Sequence, residues 1–224
     1  MATAHLYDDL GRTYGVTRRQ DPRIAVQIWA ALGPGRSLLN VGAGTGSYEP
    51  IDRMVVAVEP SLAMINQRAG RTRHVVRAVA EHLPFSDAAF DAALAVFTVH
   101  HWRDREAGLA ELVRVSQRQV VLFAEPSVVH QLWAVRYFEE TTALESEQDA
   151  PSERLLRELL PVREVQDVLV PHDCVDGFGA AYWARPEAYL DPAVQAGTSW
   201  MALLPREVLR RGTERLRRDL ASGA

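Results

Sequence analysis

Two groups of residues in this chain have the types and spacing to do chemistry. The first is a glycine bend, Gly42-Ala43-Gly44-Thr45-Gly46, with a lone acid, Glu59, downstream of it. The bend follows a short apolar run, Leu38-Leu39-Asn40-Val41, and Glu59 closes a second run, Met54 to Val58. Glycines after a first strand let the backbone approach a nucleotide closely, and an acid ending the second can accept hydrogen bonds from both ribose hydroxyls. Together they imply an adenosine-bearing ligand on a doubly wound sheet. The second group is histidine. His100-His101 follows an apolar run, Phe90 to Phe97, and His172-Asp173-Cys174 sits in a loop with Gly177. Histidine is the usual general base near neutral pH. His101 is the first candidate, with His100 beside it and His172 as an alternative on an active-site loop. Each has a plainer reading: His101 packs near a bound ligand, and His172 is a surface residue.

The spacing of the glycines narrows the ligand. A dinucleotide fingerprint wants a third glycine where Ser47 stands, and the loop has no lysine to cradle a phosphate. The bend and Glu59 together resemble motifs I and II of the class I S-adenosylmethionine (SAM)-dependent methyltransferases. SAM carries no pyrophosphate, so such a loop need only pass close to a methionine moiety and a ribose.

The elements that must position these residues alternate along the chain. Residues 2–32 read as helical, with Ile24, Ile28, Trp29 and Leu32 at helical spacing and Asp21-Pro22 as an N-cap. Strands are expected from Ser37, over Met54 to Val58, His74 to Val79, Phe90 to Phe97 and Gln119 to Ala124. Helices are expected over Ser61 to Gly70 and Asp104 to Val115. This alternation predicts an α/β, Rossmann-like, doubly wound and mostly parallel sheet with helical N-terminal and C-terminal cap elements. Residues 128–160 read as helical, broken near Asp149, and Arg163 to Val170 as a sixth strand. Pro205 to Leu220 reads as a basic terminal helix.

The 224 residues suit one domain with elaborations, or one domain and a cap, and are divided into N-terminal helices (1–36), a core (37–126) and a cap (127–224); the resemblance implies that this is a single SAM-methyltransferase domain. A net charge of −4 offers no field for nucleic acid or an anionic membrane. No apolar run approaches the length of a membrane span, and the N-terminus lacks the pattern of a signal peptide. Cys174 is the only cysteine, which excludes an intramolecular disulfide and a thiolate metal site and agrees with a reducing cytoplasm. All 25 basic residues are arginine, so a lysine base or Schiff base is excluded. That bias also suits a GC-rich bacterial genome.

Three further stretches resemble the ubiquinone-biosynthesis-type ("type 11") methyltransferase family: Ala80-Glu81-His82-Leu83-Pro84-Phe85 with Phe90-Asp91, Phe97 to Trp102, and Gly108-Leu109-x-Glu111-Leu112-x-Arg114-Val115. The resemblance covers roughly residues 37 to 125. It implies SAM as cofactor. Gly42, Ala43, Gly44 and Gly46 would pass the methionine part, and Glu59 would hold the ribose diol. Pro60, Ser61 and Met64 would pack on adenine, Ala80 and Glu81 would line its edge, and Phe97 and Trp102 would border the cofactor. Two departures stand out. Asn40 and Val79 occupy positions where the family has acids. Tyr14 and Arg18 could compensate by folding over the cofactor, with Arg18 on its carboxylate. The family's sheet usually has seven strands, and only six strand-like runs are found here.

The expectation is methyl transfer to a small-molecule acceptor, with O-methylation slightly favoured because of the histidines. Aromatic residues of the cap, among them Trp133, Tyr182, Tyr189 and Trp200, could wall the acceptor or simply pack the cap. No metal is expected. The terminal helix suits a solvated face or a homodimer contact better than RNA. A non-catalytic SAM-binding protein and an NAD(P)-dependent oxidoreductase are the rival functions.

Overall fold

The structure is a computed structural model that describes residues 17–68 and 74–223. Tyr14 and the helical reading of residues 2–16 lie outside the described residues, as does the expected helix end at Gly70. Helix α1 runs Pro22–Leu32. The Asp21 carboxylate caps it, accepting the Arg23 N–H at 3.0 Å, and Pro22 occupies its first turn, where no N–H is needed. Gly33, at φ +70°, ends it.

Five strands follow: β1 (Ser37–Val41), β2 (Met54–Val58), β3 (His74–Val76), β4 (Ala92–Val96) and β5 (Gln119–Leu122). All pair in parallel in the order β3-β2-β1-β4-β5. The chain winds one way from β1 to β3 and the other way through β4 to β5. The carboxyl ends of β1 and β4 therefore flank the point where the winding reverses, which is where a crevice opens. Both central strands are buried on both faces, as suits the wholly apolar run of β4 and the mostly apolar run of β1, where Asn40 is the buried exception. Their side chains alternate between two cores. Leu38, Ala92 and Leu94 pack with α1 and the cap, while Leu39, Val41, Ala93 and Ala95 pack under α3 (Arg105–Val115). Helix α2 (Leu62–Asn66) connects β2 to β3.

Past β5 the helical expectation is met only in pieces. They are α4 (Pro126–Val129), α5 (Glu145–Gln148) and α6 (Glu153–Leu159), with 3-10 turns between. The expected sixth strand is not formed. Residues 163–170 have no ladder partner among the described residues and are largely solvent-facing, Leu169 being 82% exposed. Val168 and Val170 touch the cap core, and the Val170 carbonyl accepts from the Trp183 indole at 3.0 Å instead of from a strand. The described sheet thus has five strands and ends at β5. Helices α7 (Pro192–Gly197), α8 (Ser199–Leu203) and α9 (Arg206–Ser222) complete the cap. Its aromatic residues pack on one another: Phe138 and Trp200 have ring centroids 5.6 Å apart, and Tyr182 and Tyr189 5.8 Å. They fill the core, and none of them lines the cavity described below.

Asp21 does more than cap α1. It also accepts from the Arg23 side chain at 2.7 and 2.9 Å and from the Val175 N–H at 3.1 Å, tying the helix to the cap. The Arg23 hydrogen bonds hold its carboxyl well below the usual 3.8. Asp21→Ala is expected to cost about 1–2 kcal/mol, the usual worth of an N-cap. A urea titration would read it as a lower midpoint at unchanged slope. The native carboxyl pKa is depressed, so this contribution is present above pH 3.8 and fades as pH falls below it.

Candidate active site

The glycine bend is shaped by contacts that leave no room for side chains. Gly42 has φ +67°, and a Cβ there would stand 1.9 Å from the Thr98 hydroxyl oxygen. The Gly42 and Ala43 N–H groups both donate to the Val58 carbonyl, at 2.9 and 3.0 Å, which folds the bend over the end of β2. Gly44, at φ +51°, has nothing within 4 Å of where a Cβ would be and so faces open space. Its N–H donates to Glu59 Oε2 at 2.8 Å, and the Ser61 N–H donates to Glu59 Oε1 at 2.9 Å. The acid is thereby fixed between the bend and the start of α2, where the Ser61 hydroxyl caps the helix by accepting from Met64 N–H.

These groups open on a cavity of about 980 Å³ at the carboxyl edge of the sheet. Of the residues singled out from the sequence, Arg18, Gly42, Ala43, Gly44, Glu59, Pro60, Ser61, Met64, Ala80, Glu81, Phe97, His101 and Trp102 line it. Gly46 does not. It lies behind the bend, where an added Cβ would be 3.1 Å from Glu49 Oε2. His172 is on the surface, its side chain 78% exposed, with Nδ1 3.9 Å from Asp173. His100 does not line the cavity but lies against His101, ring centroids 3.7 Å apart.

The loop carrying Ala80 and Glu81 is held from below by α3. Glu111 accepts the Leu83 N–H at 2.8 Å, while Arg114 donates to Glu111 and to the carbonyls of Leu83 and Phe85. The Arg114 hydrogen bonds pull the Glu111 carboxyl below its usual range. Trp102 gets its seat from Gly108, where any Cβ would collide with the indole at 2.5 Å, and its Nε1 donates to Thr98.

The cap closes the other wall. Arg18 donates to Asp176 at 2.6 and 3.4 Å, and the Tyr48 hydroxyl donates to the same carboxylate at 2.8 Å. Asp176 is wholly buried, so the two donors balance the cost of its charge. The Arg18 guanidinium also stands 5.9 Å over the Phe97 ring, which packs on Phe178. Phe97 itself is held at φ +48°, an uncommon conformation for an aromatic residue at the end of a strand.

Both histidines are pushed toward the neutral form. Burial, with Arg18 adding to it, lowers His100 to about 4. Burial, His100 and Arg18 hold His101 well below 6.5. The pair therefore offers uncharged imidazoles at neutral pH. Sequence reasoning did not anticipate Thr45, Thr98, Leu155 or Leu159 in the wall. The i, i+4 spacing of Leu155 and Leu159 was the only signal for the last two. Among the described residues, no group of three or more His, Cys, Asp or Glu side chains is arranged to hold a metal.

Comparisons with known proteins agree with this geometry. A family model described as a methyltransferase domain matches residues 39–124. A demethylmenaquinone methyltransferase of Renibacterium salmoninarum is 32% identical over 130 residues, 51% of this chain and 54% of that protein. One of Thermobifida fusca is 34% identical over 125 residues, covering 51% and 53%. The chain spans about half the length of the curated relatives it matches. A solved structure from Anabaena variabilis, described as a "Putative methyltransferase from antibiotic biosynthesis pathway", superposes with TM-score 0.82 at 31% identity, over 92% of this chain and 89% of that one. Another, from Thermotoga maritima, described as a "SAM-dependent methyltransferase, possible histamine N-methyltransferase", gives 0.54 at 25% identity, over 69% and 77%. Fold and site define a class I nucleotide-binding α/β protein. The chain belongs to the SAM-dependent methyltransferases of type 11.

The histidine pair makes a measurable signature. Its native pKa values are lowered, so the unfolded chain binds more protons below pH 6.5. The histidines' contribution to stability is full above pH 6.5 and is lost as the pH falls toward 4. Replacing both by Asn should flatten stability, measured by urea titration, across that window. An unchanged slope would show that the imidazoles are not desolvated.

Proposed function

We propose that the chain transfers a methyl group from SAM to a small-molecule acceptor, with the cofactor along the glycine bend and the acceptor between Phe97, His101 and Arg18. One observation carries this. Glu59, the acid that ends β2, is pinned by Gly44 and Ser61 beside a bend that opens on the cavity. A Cβ at Gly44 would fill the space a ligand backbone needs, so the residues fit the group.

When bound, SAM supplies an electrophilic methyl on a sulfonium. The chain's part is to position, exclude water and manage one proton. Glu59 holds the ribose hydroxyls, and Pro60, Ser61, Met64, Ala80 and Glu81 enclose the adenine. Gly42 to Gly46 let the amino-acid end pass, and Phe97 and Trp102 border it. Arg18 presents a cation at the cap side. His101, neutral and facing the cavity, would accept the hydrogen bond of an acceptor hydroxyl and hold its proton once the methyl has passed from the sulfonium sulfur to that oxygen and S-adenosylhomocysteine leaves. Its lowered basicity makes it an orienting acceptor first and a base second, and it is the hydroxyl it would orient that slightly favours O-methylation. His100 supports the His101 ring, and His172 stays outside the chemistry. Relatives named demethylmenaquinone methyltransferase support a small organic acceptor. On α9, Arg210 pairs with Glu207 and Glu214 and Arg211 with Glu140, so the basic helix is better suited to solvent or to a second copy than to nucleic acid. No described helix is long and apolar enough to cross a membrane, and the buried thiol of Cys174 suits a cytoplasmic enzyme. The division into N-terminal helices, core 37–126 and cap 127–224 belongs to the same proposal.

A second reading is a non-catalytic SAM-binding protein. It is favoured by Asn40 and Val79 at acidic positions of the family and by a described sheet that stops at five strands. Release of S-adenosylhomocysteine with any phenolic acceptor would eliminate it.

Glu59→Ala should weaken SAM binding by more than about tenfold, or about 1.4 kcal/mol, in calorimetry. Unchanged affinity, or saturable binding of NAD in its place, would sink the ribose assignment. His101→Ala should lower kcat about a hundredfold while SAM affinity stays within about threefold, and the wild-type rate should show no imidazole inflection between about pH 6 and 8.

A further inference from the structure

The glycine bend is held from behind as well as from the cavity. Arg68, just past α2, is 5% exposed, and Glu49 is 7% exposed. Arg68 Nη2 donates to Glu49 Oε1 at 2.5 Å, and Nη1 donates to the carbonyls of Ala43 and Gly44 at 3.2 and 3.0 Å. Gly46, at φ +90°, has little room for a side chain beside this pair: a Cβ there would stand 3.1 Å from Glu49 Oε2 and 3.2 Å from Arg68 Nη2. Neither Arg68 nor Glu49 lines the cavity. Arg68 Nε has no partner among the described residues, and a buried ion pair adds little net stability, so stability alone does not account for the residue.

One peptide group links this pair to the cavity. The peptide between Ala43 and Gly44 is trans, so its C=O and N–H point in opposite directions. The Ala43 carbonyl points back to Arg68 and also accepts from the Gly46 N–H at 2.9 Å, which fills both its lone pairs. The Gly44 N–H points forward to Glu59 Oε2 at 2.8 Å. Arg68 and Glu59 therefore sit at the two ends of one peptide plane. Gly44 carries no Cβ and faces open space, so sterics there do little to oppose rotation of this plane, and the hydrogen bonds at its ends must. Turned over, the plane would set a carbonyl against the Glu59 carboxylate and withdraw one of the donors that this buried acid needs.

We propose that Arg68 is the positioning residue of the ribose-binding acid. By holding the Ala43 and Gly44 carbonyls behind the bend, it aims the Gly44 N–H at Glu59 and so fixes the carboxylate that receives the ribose hydroxyls. Glu49 is the counter-ion that orients the guanidinium. This rests on the ribose role given to Glu59 above. Arg68 acts on binding through a peptide group and never touches the ligand.

The test measures S-adenosylhomocysteine binding by calorimetry in the double variant Arg68→Met/Glu49→Gln. This variant removes both charges and keeps an oxygen for Asn40 Nδ2, and it is expected to fold because a buried pair tolerates neutral replacement. With a melting temperature close to that of the wild type, its affinity should fall about fivefold or more. Adding Glu59→Ala should cost no more than Glu59→Ala alone, within about twofold, because the changes remove one interaction. A second readout is the preference for adenosine over 2′,3′-dideoxyadenosine, which lacks the ribose diol, measured by displacement of S-adenosylhomocysteine. The wild type should prefer adenosine by about fivefold or more and the double variant by less than about twofold, with dideoxyadenosine bound alike by both. Unchanged affinity, additive losses, or equal losses for both nucleosides would overturn the proposal. Failure of the neutral variant to fold would make the pair a requirement of the fold and overturn it too. A wild-type protein that binds neither S-adenosylhomocysteine nor SAM overturns the cofactor reading and this inference with it. Unchanged binding in Glu59→Ala, or no wild-type preference between the nucleosides, overturns the ribose assignment and this inference. A Glu59→Ala loss as expected, beside a double variant that is unaffected or additive, overturns this inference alone.

Discussion

The site depends on one carboxylate held by two backbone N–H groups. Glu59 is buried, and a buried charge is tolerated only where hydrogen bonds replace its lost water. Gly44 and Ser61 supply two of those bonds from opposite sides, one from the bend after β1 and one from the start of α2. The acid therefore staples two strand ends to each other. The bend can reach it only because Gly42 takes a left-handed conformation hard against Thr98, which belongs to the turn after β4. Three strand ends converge on one residue, and the cavity is the space they leave.

Around that anchor the charges are neutralised locally. Arg68 with Glu49 braces the bend from behind, and Arg18 with Asp176 and Tyr48 braces the cap side. Each is a buried pair, and such pairs add little net stability but strongly resist losing one partner. What they supply here is direction. One fixes the carbonyls of Ala43 and Gly44, and the other holds a guanidinium over Phe97 beside two imidazoles. The imidazoles stay neutral because they are desolvated and because that guanidinium repels a second positive charge. The cavity is thus lined by acceptors and apolar rings next to a compensated cation, Arg18.

Much of this was legible in the chain, and the reasons differ by residue. Strands β1 and β4 were legible because strands covered on both faces are mostly apolar along their length. Glu59 was legible because it closes one such run at a fixed distance from the glycines. Arg163 to Val170 misled because a stretch rich in valine reads equally well as a strand or as an extended segment resting on a core, and only hydrogen-bond partners distinguish the two. The cap aromatics, Tyr189 and Trp200 among them, carry no periodic signal that separates a core from a pocket wall, and they fill the core. Glu111 and Arg114 were recognisable as part of a motif, but their work, holding the loop from Leu83 to Phe85, involves partners in another segment.

By itself the sequence determined the order of strands and helices as far as β5, the bend, its acid, and the class of cofactor, because those follow from local periodicity, glycine conformations, short spacings and the motifs they form. Tertiary structure alone decided which charges are paired and which histidine faces the cavity. Arg18 meets Asp176 across 158 positions of chain, and Arg68 meets Glu49 across 19 with no repeating pattern between them. Electrostatic pairing acts through space and depends on burial, and neither quantity is carried by neighbours along the chain.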